Sequence, residues 1–132
     1  MSEKAGNTAP SPGLDRYNRV QAKLAEVRKS YNESQLVVDD IYRSLRKNKD
    51  DLDKIVPDLT MFCMQELNKI DVRADRSMNK VERASTPEMG WDMFIDENWF
   101  NMCCDMLMAQ VRGIYDFETN HIEFCKAWDI SP

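Results

Sequence analysis

The sequence predicts an all-α protein, an antiparallel bundle of three long helices whose first helix carries a heptad pattern. Three observations predict it. Glycine and proline are scarce, a heptad runs from Tyr17 to Ile55, and two later stretches repeat apolar or polar residues at helical spacing. Sheet proteins need many turns, and turns draw on glycine and proline; this chain of 132 residues has 4 of the first and 5 of the second. That length suits one domain with a core that needs no disulfide staples. The expected organisation is a disordered lead over residues 1–13 and a single helical-bundle domain over 14–132.

The first helix is expected over about 14–55. Tyr17, Leu24, Tyr31, Val38, Leu45 and Leu52 fall at heptad position a, and Val20, Val27, Ser34, Ile41, Asn48 and Ile55 at d. Ten of these twelve are apolar or aromatic, a pattern only a helix explains. It does not fit a parallel two-stranded coiled coil. Leucine sits mainly at a and β-branched residues at d, the reverse of the dimer preference, and Lys23 at g would meet Arg28 at e. Val37 and Tyr42 widen the apolar face, so the helix wants two neighbours in a bundle.

Pro57 removes a backbone donor and drives Val56 out of the helical region, so the first helix either breaks or kinks there. Asp58 suits the first turn of a second helix, through its charge against the helix dipole. Leu59, Cys63, Leu67, Ile70, Ala74, Met78 and Val81 then repeat at spacings of 3 and 4, which predicts that helix over about 58–84.

Ser85-Thr86-Pro87-Glu88 reads as the start of a third helix over about 87–128, with a hydroxyl cap, a first-turn proline and a glutamate three residues on. Its polar stripe is Asn101, Asp105, Met108, Arg112, Asp116, Thr119, Glu123 and Lys126, in which only Met108 is apolar. Most other positions are apolar or aromatic, which predicts burial around much of the circumference. Gly113 marks a close helix crossing or a local bend.

Chemistry is sparse. His121 is the only histidine, and a lone imidazole needs a nucleophile and an orienting acid beside it. The chain has no phosphate-cradling glycine loop, no Gly-x-Ser-x-Gly and no Cys-x-x-Cys. Asp39/Asp40 and Asp50/Asp51 are neighbours on helical text, where adjacent residues do not face each other. A metal set of Cys103, Cys104, His121 and Cys125 fails on distance: the second and third are separated by about 25 Å of helix, against ligand bonds of about 2.0–2.3 Å. The expectation is no catalytic residue, no metal and no cofactor. Met61, Met64, Met102, Met106 and Met108 read as core packing or as an adaptable gripping face rather than as copper ligands.

Charge is uneven. Residues 1–87 hold 16 Lys/Arg against 14 Asp/Glu, a net of +2, while residues 88–132 hold Arg112 and Lys126 against nine acids, a net of −7. Such an acidic chain is a poor ligand for nucleic-acid phosphates. No stretch approaches the ~20 apolar residues of a membrane span. The start has no apolar signal core, and Cys63, Cys103, Cys104 and Cys125 sit in helical text rather than in loops. That usage points to an intracellular, reducing compartment, the cytoplasm first.

What remains is binding to another protein, to a second copy of this chain as a homo-oligomer, or to both, with no small-molecule substrate expected. The leading expectation is a non-catalytic protein–protein interaction module, an accessory, scaffold or assembly subunit of a larger complex. The alternative is a small acidic regulator (an inhibitor, immunity protein or chaperone) that covers a basic surface. The partner-binding residues are expected in the first half of the third helix: Trp99, Phe100, Met102, Met106 and Met108. There Trp99/Met102/Met106 and Phe100/Cys103/Leu107 form two adjoining apolar stripes, more than two neighbouring helices need.

Overall fold

The computed structural model describes residues 12–85 and 97–132. Among them every regular element is helical: α1 (Pro12–Lys47), α2 (Lys49–Ile55), α3 (Leu59–Ala84) and α4 (Glu97–Ala127). All twelve heptad positions are buried or half-buried, Ser34 and Asn48 included. Helix α1 starts at Pro12, inside the stretch expected as a disordered lead, because proline's fixed φ suits a first helical turn. The rest of that lead, residues 1–11, lies outside the described residues.

The expected helix over 14–55 is two elements. Asn48 leaves helical geometry (φ −102°, ψ 15°). There its side chain joins the C-terminal residues to α1: Nδ2 donates to the Ser131 carbonyl and to Ser44 Oγ one turn back. Backbone bonds still run from Asn48 to Ser44 (3.0 Å) and from Leu52 to Asn48 (2.9 Å), so the heptad phase survives the interruption.

Pro57 breaks the chain direction rather than kinking it. Val56 is extended (φ −139°, ψ 128°), as a residue before proline must be. Asp58, expected inside the next helix, instead precedes it in the left-handed region (φ 62°, ψ 19°) and makes no side-chain cap. Asp53 supplies that cap from α2: its Oδ1 accepts the Thr60 N–H at 3.0 Å, and Lys49 Nζ donates to its other oxygen at 2.9 Å. Both interactions hold the Asp53 carboxyl below its ordinary range, the Thr60 bond foremost.

Ser85 belongs to the end of α3 and not to the next helix: its Oγ donates to the Glu82 carbonyl at 2.8 Å. The remainder of that expected start signal, and residues 87–96 of the expected third helix, lie outside the described residues. At the far end α4 closes at Ala127 with Asp129 left-handed (φ 55°). Ile130 N–H returns to the Cys125 carbonyl at 2.8 Å, the six-to-one bond of a Schellman cap, which lays Ile130 on the core.

Helices α1, α3 and α4 pack on one another. Arg28–Glu82 (2.7 Å), Tyr31–Asp75 (3.1 Å) and Gln35–Asp71 (2.9 Å) join α1 to α3, with residue numbers rising on one and falling on the other. Arg19–Glu97 (2.9 Å) and Ser44–His121 (2.8 Å) join α1 to α4 with both rising. Between them lie two core clusters. The first gathers Val20, Leu24, Val27, Met78, Val81, Phe100, Cys104 and Leu107. The second gathers Val38, Ile41, Leu45, Leu52, Leu67, Ala74 and Ile114. Gly113 marks a close crossing: a Cβ there would stand 3.3 Å from Ile70 Cγ2. No described helix is long and apolar enough to cross a membrane.

Candidate partner-binding surface

The two apolar stripes of α4 have different fates. Phe100 is fully buried (0% exposed), together with Cys103 and Leu107, whereas Trp99 (46%), Met102 (59%) and Met106 (48%) face outward. Helical geometry of about 100° per residue puts Phe100, Cys103, Leu107, Val111 and Ile114 on one face. It puts Trp99, Met102, Met106, Gln110 and Gly113 on the flank that lies along α3. Met108 is partly exposed (37%) but stands about 200° round the helix from Met106. Of the five residues singled out from sequence, three therefore form one exposed row, one is core and one lies elsewhere.

Sequence reasoning missed what stands beside that row. Helix α3 separates its charges. Asp71, Asp75 and Glu82 bond to Gln35, Tyr31 and Arg28 on the α1 side. Arg73, Arg76, Lys80 and Arg83, spaced 3, 4 and 3, take the opposite flank. Arg73 Nε donates to Gln110 Oε1 at 3.1 Å, which sets this basic row against α4. Trp99 shares a hollow of about 390 Å³ with Arg76, Lys80 and Arg83. Met106 shares one of about 200 Å³ with Arg73, Arg76 and Lys80. A basic apolar face, absent from every single helix in the sequence, is assembled from two.

The second polar feature is internal. Asn48 Nδ2 donates to Ser44 Oγ (3.4 Å), and the same hydroxyl is hydrogen-bonded with His121 Nε2, 2.8 Å away. Cys125 Sγ lies 3.8 Å from the same nitrogen. Burial pushes the imidazole pKa down, which favours the neutral ring. A serine beside a neutral histidine has the outline of a general-base pair. Yet Ser44 stands in the last turn of α1, where the backbone N–H groups are still consumed by the helix and offer no oxyanion donors. The cluster links α1, α4 and the C-terminal residues.

The cysteines are free thiols, three of them buried. Desolvation pushes Cys104 up to about 11 and also raises Cys63, Cys103 and Cys125, which keeps all four protonated and unreactive at neutral pH. Among the described residues no three His, Cys, Asp or Glu side chains converge to hold a metal ion. The chain matches no family model, and comparisons with curated proteins and with solved structures find no significant relative.

Proposed function

We propose that this chain is a non-catalytic protein–protein interaction module, an accessory, scaffold or assembly subunit of a larger complex, built as an antiparallel bundle of three long helices. One observation carries the reading: Trp99, Met102 and Met106 stay exposed in a row although the same helix buries Phe100, Cys103 and Leu107 completely or nearly so. Tryptophan and methionine are enriched in interface cores, and a contiguous apolar row on a small protein generally has a use. The free, mostly buried thiols support placing the protein in a reducing compartment, the cytoplasm first. The charge beside the exposed row is positive. This groove therefore favours the subunit reading over that of an acidic regulator covering a basic surface.

The test compares wild type with Met102→Ser/Met106→Ser in parallel affinity purifications from the native cell. A stoichiometric companion of the wild type, lost from a variant that keeps its helical signal, is the expected result. Identical companions for both proteins would remove this surface from the proposal.

A further inference from the structure

We propose that the groove between α3 and α4 grips an acidic amphipathic helix, which rests on the interaction reading above and names the chemistry of the partner. The two hollows share Arg76 and Lys80, so they adjoin along the α3–α4 flank and make one groove-like surface with a basic side and an apolar side. Among the described residues the side chains of Arg76 and Lys80 have no hydrogen bond or ion pair, whereas Arg73 is bonded to Gln110, Arg83 is also engaged, and so are the acids of α3 on the α1 side. In a chain with a net charge of −5, a row of four cations beside an exposed tryptophan and two methionines is a local inversion of sign. Charge complementarity therefore selects an anionic occupant.

The shape selects a helix. From Trp99 to Gln110 the groove runs about 16 Å, or three turns, and its apolar wall from Trp99 to Met106 about 10 Å. A helix laid between two others seats its apolar stripe at spacings of 3 and 4, and turns an adjacent stripe of carboxylates toward the arginine and lysine heads. Methionine adapts to the shape of such a stripe. Asp105 stands about 100° from Met106, away from α3, and does not oppose the occupant. A lipid surface also offers apolar chains and anionic groups; the experiment separates the two.

The probes are two fluorescein-labelled synthetic helices of about 14 residues, long enough to span the three turns, with one shared Leu/Phe stripe and either glutamate or lysine beside it. Vesicles of phosphatidylcholine and phosphatidylserine form the third probe. Each is titrated with the full chain, and anisotropy or co-sedimentation is read. The glutamate helix is expected to bind and the lysine helix not. Arg76→Glu/Lys80→Glu should weaken the glutamate helix by about tenfold or more, and so should Met102→Ser/Met106→Ser. If the charge-reversed pair unfolds, Arg76→Ala/Lys80→Ala takes its place. Equal binding of both helices, binding to vesicles alone, or no binding by the glutamate helix would overturn the proposal. An effect of the methionine pair without one from the cation pair would overturn the acidic partner but keep the interface. Indifference to both pairs would remove the interface too.

Discussion

At the end of the molecule around Phe100, the helices meet through apolar atoms: Val20, Leu24, Val81, Cys104 and Leu107 share one buried cluster with Phe100. At the end around His121, buried side chains include Ser44, Asn48 and Thr60, each hydrogen-bonded to a different element. The first end is held by area removed from water, which is strong but non-directional. The second is held by hydrogen bonds of modest net strength that fix the position of α2 and the C-terminal residues. The exposed apolar row lies outside the first end. A core that needs only apolar area leaves the outer flank of α4 free to serve something else.

The largest effect that would break this comparison is a cavity at the apolar end. Phe100→Ala should cost about 3–5 kcal/mol, the usual loss for a large buried aromatic, read as a fall in the denaturant midpoint at unchanged slope. A loss no larger than that of a surface substitution would mean that the apolar end is not the stronger one.

The polar end should respond less, and in a different way. Ser44→Ala leaves His121 Nε2 buried without its hydrogen-bond partner, at about 1–3 kcal/mol. It should also respond to pH. Burial holds the folded imidazole pKa below its ordinary value of 6.5, so the unfolded chain takes up the proton first as pH falls. Stability is therefore present above 6.5, declines as pH drops through that value, and levels off below the folded pKa. With a single histidine in the chain, His121→Gln should remove this slope. A slope that persists would move its cause elsewhere. Chelator and reductant should leave the melting temperature unchanged at both ends, since the thiols are free and no described cluster gathers metal ligands.

Much of this architecture was legible in the pattern of residues. The heptad forced α1 and α2 to present one face, and the stripe from Leu59 to Val81 did the same for α3. The left-handed Asp58 and the cap from Asp53 were not legible, because the cap crosses a proline turn that local propensity does not describe. On α4 both stripes are equally apolar, and composition alone cannot say which turns inward. The distinguishing signal was continuity: Phe100, Cys103 and Leu107 extend through Val111 and Ile114, whereas Trp99, Met102 and Met106 run into Gln110 and Gly113. The row of Arg73, Arg76, Lys80 and Arg83 was visible as spacing, but its place beside Trp99 exists only once α3 and α4 are packed. Ser44 and His121 stand 77 residues apart, and nothing local links them. Asn48 alone gave a hint, as a polar residue at a core heptad position.

The smallest effect sharpens the comparison within a single helix. Met106 and Met108 are two residues apart on α4 and both partly exposed, at 48% and 37%. They are about 200° apart round the axis, so only Met106 lies beside the basic row. Neither is needed by the core, and lysine at either position should change stability by no more than about 0.5 kcal/mol, as surface substitutions usually do. Their effects on binding should part. Met106→Lys adds a fifth cation to the groove yet removes the apolar contact in its middle, so it isolates packing from charge: a weaker glutamate helix means that the apolar wall carries the grip. Met108→Lys should leave that helix as tightly bound as before. Equal losses at both positions would mean that the occupant wraps the polar stripe of α4 as well, and the groove with α3 would no longer be the boundary of the surface.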